Sequence, residues 1–374
     1  MSRGIPLKGY IYYNYFITQT VSTVRSLIFP IYAYQLGYSP LLISSLFSTF
    51  LFLTIILYYP SVFIVKRINA RNAVILGTII DSISIILLSI NNVILYFLSF
   101  GILSLGQVLV IQMRTLIAHN FEENELKNIY ARGYTLAISG ALFATVLSSV
   151  LGYFKALGEI FLPLGIIYFG LSFFTLLFKP ISAEIGNIKV VPSKSLLPIF
   201  IFAFFSGFVT YIVLGLLQIW YLKLGLSATF VSIVYLLMYS VNIISNSIVE
   251  KIKEESLIKN YIILSIISAI LLSLISIRYY VISILMLLLS QVTNAIMTII
   301  NSVLFTKFIK RLNEAEVGSA LTDMFTRAGA IVGILSQGYF FTVGFLALPF
   351  IIGALISLID RIIRYEYYRK YNII

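Results

Sequence analysis

Residues 36–46 read LGYSPLLISSL and residues 224–234 read LGLSATFVSIV, two turns of one design that lie 188 residues apart. In both places the LGxS turn leads directly into a long apolar run. Three further matches follow in the same order, at offsets of 184, 184 and 189: residues 64–68 with 248–252, Gln107-Val108 with Gln291-Val292, and Gly140-Ala141 with Gly329-Ala330. The shared order and the nearly constant offset predict that the chain consists of two related halves.

Apolar runs of membrane-spanning length recur along the chain. Of 374 residues, 60% are hydrophobic and 11% are charged, whereas soluble domains are about 25% charged. A helix that crosses a bilayer needs about 20 mostly apolar residues. Twelve stretches qualify: 9–35, 40–65, 72–90, 93–118, 128–152, 160–178, 196–222, 228–249, 260–277, 279–306, 317–343 and 345–361.

These runs are continuous rather than alternating, which excludes barrel strands. The sequence therefore predicts an all-α integral membrane protein with twelve transmembrane helices in two pseudo-symmetric six-helix bundles. The predicted bundles cover residues 1–178 and 196–374, and residues 179–195 form a cytoplasmic linker between them.

The basic residues lie mostly on one side of this map. Of 26 Lys and Arg, 20 fall in the termini and even-numbered loops and three in the odd-numbered loops. Because short loops rich in Lys and Arg stay in the cytoplasm, we expect a multi-pass protein of the cytoplasmic membrane with both termini inside. This orientation explains most of the net charge of +12, so nucleic acid is not an expected partner.

Composition also excludes several kinds of chemistry. The chain has no Cys, a single His (His119) and no Gly-rich phosphate-binding motif. Thiolate or histidine metal clusters and an ATP-driven motor are therefore excluded. We expect no cofactor, no metal and no enzymatic activity.

Two six-span halves, the LGxS turns and the basic loops after spans 2 and 8 resemble the major facilitator superfamily. The loop after span 2 keeps the basic residues of that family's motif but has Lys66 where an acid belongs, and the second half is closer with Glu250-Lys251. The Gly-Pro motif of drug–proton antiporters is absent from span 5. The resemblance implies a cavity lined by spans 1, 4, 7 and 10. It also implies conformational gating by the loop residues Lys66, Arg67, Arg71, Glu250 and Lys251.

Span 1 carries a polar stripe. Its members Asn14, Thr18, Ser22 and Arg25 recur at spacings of 4, 4 and 3, which places them on one helical face. A charge at the bilayer centre costs about 2.5–3.5 kcal/mol on the insertion scale. Arg25 therefore either faces the cavity or pairs with a carboxylate or carbonyls of a neighbouring helix. We favour the cavity.

Spans 4, 7, 8 and 10 add polar residues at helical spacing. The candidate substrate-binding residues are Gln107, Arg114, Gln218, Tyr239, Asn242, Gln291, Asn294 and Thr298. The alternative for the amides is hydrogen bonding between helices. Arg114 lies close to the cytoplasmic end of span 4, and the alternative for this residue is that its side chain snorkels to a lipid phosphate. Trp220 near the outer end of span 7 is expected in the interfacial aromatic belt.

Span 11 carries a carboxylate and a guanidinium one turn apart. Asp323 and Arg327 form either a permanent intrahelical ion pair or a coupling device. In the second case a solute anion binds Arg327, and the released Asp323 accepts a proton. Asp81 in span 3 is a weaker proton-coupling candidate and a better structural partner for a basic group.

These features predict a secondary active transporter that moves a small solute by alternating access. The excess of buried Arg favours an anionic or zwitterionic organic solute, with possible proton coupling, and we expect a monomer in the lipid bilayer. One alternative is an exporter of amphipathic or aromatic compounds, suggested by the Tyr-rich faces. A second is a non-transporting membrane sensor or scaffold. Close helix approach is expected at Gly133, Gly140, Gly329 and Gly333.

Overall fold

A computed structural model describes residues 7–68, 70–110, 123–174, 193–249, 254–312 and 315–371. The chain packs as two compact units. The first comprises Met1–Gly37, Thr49–Gly186 and Ser227–Ile233, and the second comprises Tyr38–Ser48, Asn187–Leu226 and Val234–Ile374. Residues 175–192 lie outside the described ranges, so the predicted linker at 179–195 stays a prediction.

The regular structure of the described residues is helical throughout. From the N-terminus to residue 174 the helices are α1 (Leu7–Thr23), a π-helical turn (Val24–Ile28), α2 (Phe29–Gln35), α3 (Pro40–Ile68), α4 (Ala70–Leu87), α5 (Val93–Val110), α6 (Glu123–Tyr153), a 3-10 turn (Leu157–Ile160) and α7 (Phe161–Phe174).

From residue 193 onward the described residues again form long helices with a few short helical pieces. They are a 3-10 turn (Lys194–Leu196), α8 (Leu197–Leu214), α9 (Leu217–Lys223), α10 (Ala228–Val249), α11 (Glu254–Lys259), α12 (Tyr261–Leu274), α13 (Tyr280–Leu312), α14 (Ala315–Val343) and α15 (Leu348–Lys370).

Each predicted span corresponds to one helix or to an interrupted pair. Span 1 comprises α1, the π-helical turn and α2, and span 7 comprises α8 and α9. The short α11 lies in the loop between spans 8 and 9. Six described segments are long and apolar enough to cross a membrane, and the apolar parts of α4, α5 and α12 are shorter.

The two LGxS turns have the same local geometry. Gly37 and Gly225 adopt φ angles of +88° and +91°, the left-handed conformation in which glycine ends a helix without strain. Two residues later a serine caps the next helix: the Ser39 hydroxyl accepts from the Leu42 N–H at 3.2 Å, and the Ser227 hydroxyl accepts from the Phe230 N–H at 3.3 Å. The repeated motif is thus a helix stop followed by a helix start.

Glycines bring the first helix of each half close to a partner. In the first unit α6 packs on α1, and a Cβ at Gly140 would overlap the Phe16 carbonyl oxygen. In the second unit α14 packs on α8, and a Cβ at Gly329 would overlap the Phe204 carbonyl oxygen. Gly133 and Gly333 make similar approaches, to Tyr15 and Phe208. The predicted close helix approach at these four glycines is confirmed.

Trp220 lies in the core of the second unit. Its side chain is fully buried, packs against Phe341 and Phe350, and donates its indole N–H to the Ser283 hydroxyl at 3.2 Å. The expectation of an interfacial belt position was wrong. Because Ser283 satisfies the indole N–H, the ring can be buried without losing a hydrogen bond.

Candidate translocation site

The polar stripe of span 1 is internally hydrogen bonded over its first half. The Thr18 hydroxyl donates to Asn14 Oδ1 at 2.7 Å, and Asn14 Nδ2 donates to the Tyr10 hydroxyl at 3.3 Å. Asn14 is buried, while Thr18 and Ser22 are half-buried. One helical face therefore holds a short chain of neutral polar groups that leads towards Arg25.

Arg25 lies in the π-helical turn Val24–Ile28 and forms a buried ion pair with α4. Its Nη1 is 2.7 Å from Asp81 Oδ1, with side-chain exposures of 7% and 1%. The pairing with a neighbouring carboxylate, weighed in the sequence analysis against a cavity role, is thus present. Because the two charges cancel, Arg25 adds no net charge to the first unit.

Asp81 is the centre of a larger polar cluster. Gln107 Nε2 on α5 donates to Asp81 Oδ2 at 3.3 Å, and the Ser84 hydroxyl, which donates to the Asp81 backbone carbonyl oxygen at 2.7 Å, lies 3.4 Å from Asp81 Oδ1. The structure thus brings together three residues that were predicted separately, Arg25, Asp81 and Gln107. The carboxylate therefore contacts a cation and a neutral amide donor, with the Ser84 hydroxyl beside it.

Span 7 is interrupted at the position that the internal repeat pairs with the π-helical turn Val24–Ile28, and here a neutral side chain makes the contacts. Between α8 and α9, the Leu216 N–H donates to Gln337 Oε1 at 2.6 Å, and Gln337 Nε2 donates to the Val213 carbonyl oxygen at 3.1 Å. Gln337 on α14 is fully buried. It hydrogen-bonds one backbone N–H and one backbone carbonyl oxygen at the interruption, a role that was not predicted from the sequence.

Tyrosines and amides of spans 7, 8 and 10 form a second polar cluster in the second unit. The Tyr235 hydroxyl donates to Gln218 Oε1 at 2.8 Å, and the Tyr235 and Tyr239 rings are 6.4 Å apart. One turn further along α10, Asn242 Nδ2 donates to Gln291 Oε1 at 3.4 Å. The predicted residues Gln218, Tyr239, Asn242 and Gln291 are thus neighbours within one unit.

Asp323 and Arg327 lie one turn apart on α14, and both are half-buried. The ion pairs among the described residues join Arg25 to Asp81, Arg364 to Asp360 and Arg369 to Glu366; a pair between Asp323 and Arg327 is not among them. Tyr211 on α8 is close enough to interact electrostatically with Arg327. An ion pair between Asp323 and Arg327 is thus not seen among the described side chains, and the role of the two residues stays a prediction.

A charged cluster on α15 was missed from the sequence. Arg364 Nη2 lies 2.7 Å from Asp360 Oδ2 and also donates to the Phe202 carbonyl oxygen and the Ser206 hydroxyl, at 3.0 and 2.8 Å. Arg361 Nη2 donates to Asn294 Oδ1 at 3.1 Å. Both arginines were counted among the cytoplasmic charges of the C-terminus, because the last predicted span ends at residue 361. The one available signal was Asp360, an acid on the same helical face as Arg364.

Several predicted residues lie outside what the structure describes. These are Arg114, Glu250 and Lys251, together with the side chains of Lys66, Arg67 and Arg71. Thr298 is exposed, and Asn294 is half-buried. In the described part of the chain, acidic and histidine side chains form no group of three that would suit a metal ion.

The whole-chain comparisons decide the family. The sequence profile described as Major Facilitator Superfamily matches residues 11–334. The chain belongs to the major facilitator superfamily. This membership confirms the predicted fold class and makes the protein a multi-pass secondary transporter rather than an enzyme. No curated protein sequence matches the chain.

Solved structures of other transporters share the fold of this superfamily member. The nucleoside transporter NupG is 15% identical with a TM-score of 0.77, covering 98% of this chain and 100% of its own. A bacterial homologue of the iron transporter ferroportin, in an inward-facing state, is 14% identical with a TM-score of 0.73, covering 96% and 98%. A POT family transporter in complex with a thioalcohol-conjugated peptide is 16% identical with a TM-score of 0.72, covering 97% and 96%. Solutes as different as nucleosides and iron show that this fold does not select the substrate.

Proposed function

We propose that this transporter moves a small anionic or zwitterionic organic solute across the cytoplasmic membrane by alternating access. The observation that carries the proposal is Arg327. It lies near the middle of α14, is half-buried, and has no hydrogen bond or ion pair with any residue that the structure describes. A charge at this depth costs about 2.5–3.5 kcal/mol. A solute carboxylate or phosphate would offset that cost.

The contrast with Arg25 supports the assignment to Arg327. Arg25 is already neutralised by Asp81, so a solute anion would have to displace a buried carboxylate to bind it. Arg327 requires no such displacement. Of the two arginines, Arg327 is therefore the better anion-binding group, and Arg25 a structural one.

Proton coupling is proposed at Asp323 rather than at Asp81. Asp323 is half-buried and lies one turn from Arg327, so the charge of a bound solute would act directly on its carboxylate. Asp81 is the weaker candidate because its carboxylate already takes part in the ion pair with Arg25 and the hydrogen bond from Gln107. We further propose, from the distribution of basic loops, that both termini are cytoplasmic. We also propose that the monomer is the functional unit.

Uptake into proteoliposomes tests this function. The solute panel contains a monocarboxylate, a dicarboxylate, an amino acid, a nucleoside and a quaternary amine. We expect uptake of one or more of the first three and its loss in Arg327→Gln. The matched control is Arg369→Gln, which removes a guanidinium that is 68% exposed on α15. Uptake of the quaternary amine that is unchanged in Arg327→Gln would contradict the proposal.

A second candidate solute class is favoured by the tyrosines. Tyr235 and Tyr239 lie side by side, next to the amides of Gln218 and Asn242. Aromatic faces of this kind bind planar or amphipathic molecules, so an exporter of aromatic compounds is the alternative. Efflux that survives Arg327→Gln but is lost in Tyr239→Ala would favour it over the anion transporter.

A further inference from the structure

Three amide side chains of α13 share one hydrogen-bonding pattern. They are Gln291, Asn294 and Asn301, spaced 3 and 7 residues apart on one helical face. Their oxygens accept from neighbouring helices: from Asn242 Nδ2 (3.4 Å) at Gln291, from Arg361 Nη2 (3.1 Å) and the Ser268 hydroxyl (3.4 Å) at Asn294, and from the Tyr261 hydroxyl (2.8 Å) at Asn301. The acceptor side of every amide is therefore occupied from within the second unit.

The nitrogen side of each amide is different. Gln291 is 6% exposed, and its Nε2 is buried with no hydrogen-bond partner. No residue that the structure describes accepts a hydrogen bond from the Nδ2 of Asn294 or Asn301. Each amide nitrogen carries two N–H donors, and a buried donor without an acceptor, as at Gln291, is costly. Asn294 and Asn301 are half-buried. One face of α13 thus carries amide donors that no described residue uses.

We propose that these three NH2 groups, here called the donor stripe, bind the hydrogen-bond acceptors of the transported solute. The ligand chemistry is a carboxylate, phosphate or carbonyl group. A cationic ammonium group has donors alone, so it finds no acceptor on the stripe. The inference rests on the proposed function in that it concerns the solute, but it involves neutral amides and does not depend on Arg327.

Arg361 is the positioning residue of the donor stripe. A guanidinium has no acceptor, so the Asn294 oxygen must face Arg361 and the nitrogen must face away from it. The hydrogen bond is charge-assisted, which makes this orientation stronger than a neutral contact would. A cation on α15 thereby fixes the polarity of an amide on α13.

The test is a change of polarity at one amide. Asn294→Asp keeps the shape and the acceptor for Arg361, which also neutralises the new carboxylate, but replaces the NH2 group by an oxygen. Binding is measured by calorimetry in nanodiscs with three probes of similar size: benzoate and N,N-dimethylbenzamide, which only accept hydrogen bonds, and benzylammonium, which only donates. Asn301→Asp is the second variant if Asn294→Asp does not fold.

The expected result is a reversal of preference. The unmodified protein should bind both acceptor probes at least about tenfold more tightly than benzylammonium. In the variant, the affinity for the acceptor probes should fall at least about tenfold, and the affinity for benzylammonium should rise. Asn92→Asp is the matched control, because its oxygen caps α5 by accepting from the Ile94 N–H at 2.9 Å, and a carboxylate keeps that bond. The control should leave all three Kd values unchanged.

Two results would overturn the donor stripe: neither acceptor probe binds at millimolar concentration, or the variant leaves the ratio of Kd values unchanged. N,N-dimethylbenzamide separates this inference from the proposed function, because it carries no charge for Arg327. If Arg327→Gln has no effect on uptake while Asn294→Asp still weakens N,N-dimethylbenzamide, the anionic solute is wrong and the donor stripe stands. If instead Arg327→Gln abolishes uptake while Asn294→Asp does not change the binding of N,N-dimethylbenzamide, the donor stripe is wrong and the proposed anion transport stands.

Discussion

Spans 1 and 7 occupy matching places in the internal repeat, and both depart from a regular α-helix at equivalent positions of that repeat. Span 1 passes through the π-helical turn Val24–Ile28, and span 7 is interrupted between Leu214 and Leu217. In span 1 the irregular turn holds a guanidinium against the carboxylate of Asp81. In span 7 the interruption is filled by the neutral amide of Gln337.

The repeat therefore preserves the position of the helix irregularity but not the side chains that stabilise it. An ion pair in a low-dielectric interior is costly to break from one side, because the remaining charge is left unpaired. A neutral amide that satisfies two backbone groups is less costly to lose. The first unit should therefore depend on its ion pair more strongly than the second depends on Gln337.

The largest effect is expected for Asp81→Asn. It leaves Arg25 buried without a counter-ion, a change that costs about 3–5 kcal/mol in other proteins. We expect a large decrease in Tm, measured by fluorescence-detected thermal unfolding in detergent. The double variant Asp81→Asn with Arg25→Met should recover most of the loss. If Asp81→Asn alone unfolds at the original Tm, the ion pair has no stabilising role.

A smaller loss is expected for Gln337→Leu. It removes the partners of the Leu216 N–H and the Val213 carbonyl, and each buried group left unsatisfied costs about 1–3 kcal/mol. Gln337→Glu is the informative companion, since a protonated Glu can accept and donate as Gln does while an ionised Glu can only accept. The Tm of that variant should therefore rise as the pH falls. A flat profile would count against the bridging role of Gln337.

The next largest effect is expected at two glycines that match in the repeat. Gly140 and Gly329 match in the repeat and press against spans 1 and 7. Alanine at either position overpacks a backbone contact, at a cost of typically about 1–3 kcal/mol. Both variants should lower the Tm, and Gly170→Ala should not, since a Cβ there meets open space. Equal Tm values for all three variants would contradict the close packing.

The smallest effect is expected for Gln107→Leu. It removes the 3.3 Å hydrogen bond to Asp81 Oδ2 but leaves the ion pair with Arg25 in place. A typical hydrogen bond contributes about 1 kcal/mol, so the decrease in Tm should be well below that of Asp81→Asn. A decrease as large as that of Asp81→Asn would mean that Gln107, rather than Arg25, holds the carboxylate.

The spans and the repeat could be predicted because they depend on local chemistry. Apolar length defines a membrane helix, and the LGxS turns specify both the glycine that ends one helix and the serine that begins the next. The glycines at close helix contacts could be predicted for the same reason. These features need no knowledge of which helices are neighbours.

The site was harder, since its contacts join residues far apart in sequence. Gln337 and Leu216 are 121 residues apart, and neither the amide nor the leucine indicates the other. In the sequence, Arg361 and Arg364 look like basic residues of a cytoplasmic terminus. Their contacts with Asp360, Ser206 and Asn294 are visible only in the structure. Arg25 was assigned to the cavity because its partner Asp81 lies on another helix, where sequence spacing gives no register between the two.

The span 7 interruption also has a consequence for biogenesis. A membrane protein is synthesised from its N-terminus, so Asp81 follows Arg25 by only 56 residues, whereas Gln337 emerges 121 residues after Leu216. Until α14 enters the bilayer, Gln337 cannot accept the hydrogen bond from the Leu216 N–H. We expect span 7 to be inserted as one uninterrupted helix and to open only when the eleventh span arrives, which would make the interruption one of the last features of the molecule to form.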